Sequence, residues 1–331
     1  MKNMKGLTIF AILLLICLTA GCGTKGAGTS SVAKSKYPEK AIEVVVPFAP
    51  GGGSALTAQI FSRIMTEEKI IPVNMNLTYK PGGSSAVGMG YTAGQRENPY
   101  TLMLFTPTIV TTPLMGDVKV SINDFQVICV FGYEVSMLCA NPKGKFKTFD
   151  DVIKYAKENP GKLTISGAGT GGAQHMYATK LAKIAGFEYT FVPYSGSSEA
   201  STALLGNHVD LAVIHLNEGT NYLEAGQVIP LGIGSEKRVA TFPNIPTFIE
   251  QGYNFSYQMA RGVVAPAGIP DDAKKALAEA FKKLCEHPRW DSDFVKKFNF
   301  ISDPKYLDDA RDFMLQQRDS YAEILKLAGV I

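Results

Sequence analysis

Two glycine-rich stretches carry most of the chemistry this chain could do. Pro47-Phe48-Ala49-Pro50-Gly51-Gly52-Gly53-Ser54 and Ser166-Gly167-Ala168-Gly169-Thr170-Gly171-Gly172 each follow a short apolar run and open an amphipathic one. That pattern places each loop between a strand and the first turn of a helix. With little side chain in the way, backbone N–H groups can close on an anion, and the helix terminus adds partial positive charge. Each loop is therefore a candidate anion pocket. Gly167, Gly169 and Gly172 also satisfy the dinucleotide pattern G-x-G-x-x-G, with Glu188 downstream. In a dinucleotide unit that acid ends the second strand, whereas Glu188 precedes the run 189–192 and so begins it. Neither loop continues into Gly-Lys-Ser or Gly-Lys-Thr, so the sequence holds no P-loop there.

Ligands of α/β folds bind outside the carboxyl ends of strands, which makes residues at those ends candidates. Thr106 and Thr108 follow the run 101–105, Tyr194 and Ser195 follow 189–192, and His215 follows 211–214. A hydroxyl or imidazole there can reach a ligand or a neighbouring backbone group. Arg261 stands where the chain returns from one half of the fold to the other. It offers a planar fork for a second carboxylate, and the competing reading is an interlobe salt bridge with an acid such as Glu134 or Glu218. Catalysis finds no support. There is no G-x-S-x-G elbow, and the four histidines lack an H-E-x-x-H pattern or the acidic companions of a metal site. His208 and His287 read as loop residues. The expectation is a binding protein without a cofactor.

What positions these residues is an alternation of short apolar runs with amphipathic stretches, the signature of an α/β fold with a largely parallel sheet. Strands are expected over 42–46, 73–77, 101–105, 127–131 and 135–140, with a helix over 55–67 and a Gly-rich turn and short helix before the third strand. A second cycle runs helix 148–158, strand 163–165, helix 173–185, strand 189–192, helix 198–205, strand 211–214, helix 220–225 and strand 229–233. The run 261–265 then leads into helices over 271–286 and 306–327. The last carries Leu307, Ala310, Phe313, Met314, Tyr321, Leu325 and Ala328 close to helical period, one face for the body. Candidate crossings near Leu138-Cys139-Ala140 and Met259-Ala260-Arg261 divide the body into two lobes, 37–139 plus 260–331 and 140–259. The cleft between them is the binding place, and hinges near Cys139 and Ala260 would let it close. Cys129 and Cys139 could meet across a hairpin, but two buried thiols are the favoured reading.

The first 36 residues stand apart. Lys2 and Lys5 precede an apolar run over 7–20 that is shorter than the ~20 residues of a membrane span, so the segment reads as a secretory signal. It closes on Leu18-Thr19-Ala20-Gly21-Cys22, which resembles the lipobox of bacterial lipoproteins, with Thr19 where Leu is usual. The resemblance implies lipid on Cys22, a signal peptide over 1–21 and an extracytoplasmic protein tied to the membrane. The small, polar stretch 23–36 reads as its tether. Five of the 33 basic residues lie in this leader and tether, leaving 28 against 30 acidic residues in the body. A near-neutral body has no electrostatic footprint for nucleic acid. An address outside the cytoplasm also leaves a dinucleotide enzyme without a nicotinamide pool.

Tyr37-Pro38-Glu39-Lys40-Ala41-Ile42, running into Val46 and the first glycine-rich loop, resembles the opening of the substrate-binding proteins of tripartite tricarboxylate transporters, the Bug receptors. Lys80-Pro81-Gly82-Gly83, Gly167 to His175, Val192-Pro193-Tyr194-Ser195-Gly196, Val209-Asp210-Leu211, Ala265-Pro266-Ala267-Gly268-Ile269-Pro270 and Leu327-Ala328-Gly329 keep the order of that family. The resemblance implies a two-lobed periplasmic-binding-protein fold, type II-like. It also implies a small organic carboxylate, di- or tricarboxylate foremost, delivered to a large and a small membrane subunit. A ligand carboxylate would lie between the two loops, at Phe48, Gly52, Gly53 and Ser54 of the first and Thr170, Gly171, Gly172 and His175 of the second. Ser54-Ala55 replaces the Thr-Asp of many members, which weakens any case for an amino-acid ligand. Gly172 stands where Ser or Thr is common, and Tyr79-Lys80 replaces an Asn-Arg pair. The alternative to transport is a receptor that passes ligand occupancy to a signalling partner.

Overall fold

The structure, a computed structural model, describes residues 37–116, 118–257 and 259–331. The leader, Cys22 and the tether lie outside them. Strand β1 (Ile42–Val46) is a buried β-branched run that passes through the first glycine-rich loop into α1 (Gly53–Glu67). Next come β2 (Met75–Tyr79), α2 (Ala86–Ala93), β3 (Thr101–Phe105), α3 (Thr108–Leu114) and β4 (Phe125–Glu134). Val135 separates β4 from β5 (Ser136–Ala140), which opens a second sheet. There Thr148 caps α4 (Phe149–Glu158) through a reciprocal bond with Asp151. The cycle continues through β6 (Thr164–Ala168), α5 (Ala173–Ala185), β7 (Thr190–Tyr194), α6 (Ser197–Leu205), β8 (Leu211–His215), α7 (Leu216–Glu224) and β9 (Ile229–Ile233). Strand β10 (Met259–Pro266) returns to the first sheet. It leads to α8 (Asp271–Glu286), a helical turn α9 (Pro288–Trp290), a π-helical turn over Asp291–Lys296, β11 (Ile301–Tyr306) and α10 (Leu307–Leu327).

The two sheets have strand orders β11-β4-β10-β3-β1-β2 and β7-β6-β8-β5-β9. They are mixed rather than largely parallel as expected. β1 pairs parallel with β2 and β3, and β6 with β7 and β8, but β10 runs antiparallel to β3 and β4, and β5 antiparallel to β8 and β9. The reason is geometric. Strands of a lobe that end at the cleft point one way, and a strand entering that lobe from the cleft must point the other. β11 was not expected, because Ser302-Asp303-Pro304-Lys305 has no apolar period. It sits at a sheet edge, where Pro304 and an irregular register are tolerated. Opposite it, Gly132 (φ +139) leaves no room for a Cβ against the Ile301 carbonyl. Helix α7 begins four residues earlier than expected, and β2 is shifted two residues toward its carboxyl end.

One lobe is packed around tilted aromatic rings of Phe61, Phe131, Phe281 and Trp290, with centroids 5.4–5.8 Å apart. In the other, Tyr177, Phe248 and Phe255 meet edge to face. Cys129 and Cys139 are buried free thiols in different sheets, as the favoured reading had it, and burial pushes both up. Among the described residues no helix is long and apolar enough to cross a membrane.

Candidate functional site

Because strands β1, β6, β7 and β8 all end at the cleft, the helices that follow them all begin there. Gly52 and Ser54 at the start of α1, Ala173 and Gln174 of α5, Ser197 of α6 and His215, the cap of α7, line one narrow cavity of about 20 Å³. Phe48, Ala49, Thr106, Ala168, Met259 and Arg261 complete its wall. First-turn amides of a helix have no partner within the helix, so converging N-termini make a space that favours an anion.

Of the residues expected from the sequence, Phe48, Gly52, Ser54, Thr106, His215 and Arg261 lie on this wall. Thr170, Tyr194 and Ser195 line an adjoining cleft of about 390 Å³ with Gly82, Gly83, Ser84 and Ser85, and Phe48 is common to both. Thr108 sits behind Thr106, their hydroxyls 3.0 Å apart. Gly53, Gly171, Gly172 and His175 are off the wall and hold the loops in shape. The Gly171 N–H donates to His175 Nδ1 at 3.0 Å, and the imidazole stacks on Phe191 with centroids 4.1 Å apart. Burial pushes the His175 pKa down to about 4, so at neutral pH its ring nitrogen accepts. His215 is likewise pushed down, by burial and then by Arg261, and its Nδ1 lies 2.7 Å from the Ser136 hydroxyl.

Sequence reasoning missed Gln174 and Ser197. The Gln174 side chain accepts from Ala168 N at 2.5 Å and donates to the Val213 carbonyl at 2.7 Å, stitching α5 to β6 and β8. Ser197 donates to Glu218 Oε2 at 2.8 Å. The signal for both was their place in the first turn after a glycine.

The lobes touch around the cavity. Ser84 Oγ donates to the Thr170 carbonyl at 2.5 Å, Thr111 Oγ1 to the Gly171 carbonyl at 2.9 Å, and Ser198 Oγ to the Pro50 carbonyl at 3.2 Å. A Cβ on Gly52 would stand 2.7 Å from Ser197 Oγ, so any side chain there would have to push that hydroxyl off its bond to Glu218. Arg261, 1% exposed, is ion-paired with the equally buried Glu134, and its Nη1 donates to Ser54 Oγ at 2.8 Å. Of the two readings of this arginine, the ion pair with Glu134 is present. Glu218 of α7 reaches across the seam to accept from Gly53 N at 3.1 Å. Glu218 is only partly buried as a residue, but its carboxyl is enclosed, and Oε1 has no hydrogen-bond partner among the described residues. Burial pushes this carboxyl up to about 7, against the pull of the Ser197 hydroxyl. Among the described residues no cluster of His, Cys, Asp or Glu could hold a metal.

A family model described as tripartite tricarboxylate transporter family receptor matches residues 60–326. The chain is similar to the UPF0065 protein in the gbd 5' region of Cupriavidus necator, 30% identical over 281 residues that cover 82% of each chain. It is also similar to BugT of Bordetella pertussis, 27% identical, covering 78% of this chain and 79% of that one. Among solved structures, the periplasmic binding protein BugD superposes with a TM-score of 0.79 at 26% identity, covering 89% of this chain and 99% of that one. R. palustris Rpa4515, solved with adipate, shares the fold at a TM-score of 0.78 and 22% identity, covering 88% and 98%.

Proposed function

Because this chain belongs to the family of tripartite tricarboxylate transporter receptors, we propose that it captures a small organic carboxylate outside the cytoplasm. It presents that ligand to the large and small membrane subunits of such a transporter. The observation that carries the reading is convergence. Helices α1 and α5, one from each lobe, direct their N-termini at one enclosed cavity with hydroxyls on its wall. The adipate found with Rpa4515, a protein of the same fold, is a ligand of this chemical class.

Phe48, Gly52, Ser54, Thr106, His215 and Arg261 face the ligand in this reading. Thr170, Tyr194 and Ser195 border the cleft into which a longer one extends. Gly53, Thr108, Gly171, Gly172 and His175 keep the loops open to it. The lobes divide at Val135, where β4 of the first sheet gives way to β5 of the second, rather than at 139, and again where β10 returns to the first sheet, and ligand holds them closed. Thermal melts of the purified protein against a carboxylate library test the reading. A true ligand at 100 times its Kd adds about 2.7 kcal/mol of stability. A library without a hit, beside shifts by sugars, amines or phosphate, defeats it.

Cys22 carries the lipid that keeps the receptor at the membrane. Cys22→Ser is expected to release the protein or leave an uncleaved precursor. Wild-type protein with no lipid mass at Cys22, and a variant that fractionates like it, would refute the anchor.

A further inference from the structure

Resting on the carboxylate reading, we propose that the cavity takes a ligand with a single carboxylate, and that Glu134 is the residue that turns a second one away. Arg261 is the one formally charged residue on the cavity wall. Its Nε and Nη2 engage Glu134 and its Nη1 engages Ser54, inside a space where both ionic side chains are 1% exposed. Glu134 therefore answers the guanidinium charge for charge. Arg261 keeps N–H groups that can hydrogen-bond, but its positive charge is spent.

Glu218 makes the same kind of claim on α1, taking the Gly53 amide. Glu199 is the one charged residue on the wall of the adjoining cleft that shares Phe48, and it too is an acid. Helices α6 and α7 also begin at the cavity, but each carries an acid in its first turn, Glu199 and Glu218, that offsets its partial charge. What attracts an anion is the remaining first-turn amides of α1 and α5, whose first turns hold no acid. Each terminus carries roughly half an elementary charge, and the pair together matches about one carboxylate. A second carboxylate on the same ligand would leave water with no unmatched cation on the wall to meet it, since Glu134 already holds Arg261. In this proposal Arg261 does not receive that second group, contrary to the expectation from the sequence.

The test compares straight-chain monocarboxylates with the matching α,ω-dicarboxylates from about three to six carbons, the range of small organic acids. Calorimetric titration of wild-type protein is expected to favour the monocarboxylate of the best-bound length by at least about tenfold. Glu134→Gln keeps the shape and removes the negative charge, and is expected to shift the ratio of the two affinities toward the dicarboxylate by at least about tenfold. A change in ratio separates selection from mere support of Arg261, since a purely structural role would weaken both ligands alike. Wild-type protein that binds the dicarboxylate as tightly as its partner overturns the proposal even if Glu134→Gln fails to fold. So does a folded variant with an unchanged ratio. If neither series binds, the carboxylate reading itself falls, a result distinct from binding with the opposite preference.

Discussion

The loop over 47–54 is tied largely to the opposite lobe, whereas the loop over 166–172 is tied largely to its own helix. In the first, Ala49 N meets the Ser195 carbonyl at 3.4 Å, the Pro50 carbonyl receives Ser198, and Gly53 bonds Glu218 through its N–H and Asn217 through its carbonyl. In the second, Ala168 N is held by Gln174, Gly171 N by His175, and Gly172 N by the Gly169 carbonyl at 3.2 Å. Only its outward carbonyls reach across, to Ser84 and Thr111. Two segments with the same glycine signature thus differ in what holds them. The second is held by its own lobe, and the first by the contact between the lobes.

The largest expected break in this contrast comes from Arg261→Ala. It strips Ser54 of its partner and leaves Glu134 buried and uncompensated, at a cost of about 3–5 kcal/mol. Urea unfolding measures it, and a loss below about 1 kcal/mol would mean that Glu134 finds another partner or a proton.

Next in size is His175→Ala, which orphans the Gly171 amide inside the second loop and costs about 1–3 kcal/mol. Hydrogen exchange at Gly171 should quicken while the amides of the first loop keep their protection. Equal loosening of both loops would erase the distinction drawn between them.

A further effect is set by pH. Glu218 has its folded pKa raised to about 7 from an ordinary 4.5. The folded chain then holds a proton over that window which the unfolded chain has released. The contribution is whole below 4.5 and is lost as pH rises to about 7, which makes stability fall in that direction by up to about 3 kcal/mol. Unfolding at both ends of the window should show a shallower fall for Glu218→Gln than for wild type. Parallel slopes would place the Glu218 carboxyl in water.

The glycine loops and the helices behind them were legible because their signal is local: a β-branched run, a turn without side chains, an amphipathic period. α7 lost its first turn in the reading because Asn217 and Gly219 are poor helix formers, and the contacts of Glu218 and Asn217 with Gly53 pull that turn into shape. The partner of Arg261 could be narrowed to two acids from sequence but not chosen. That choice depends on β10 lying beside β4 with Arg261 opposite Gly132, a register between residues more than a hundred positions apart. Strand direction was invisible for the same reason, since periodicity reports a face and not a heading.

Helix α10 packs on β4 and α3 of the first lobe and also on α5 of the second, with Tyr321, Ile324 and Leu325 buried and Leu325 beside Gly171. The lobes are thus joined by more than two flexing strands. A rotation that widens the cleft would slide this apolar helix face across α5, so the helix contact, and not the two strands alone, sets what such a rotation costs.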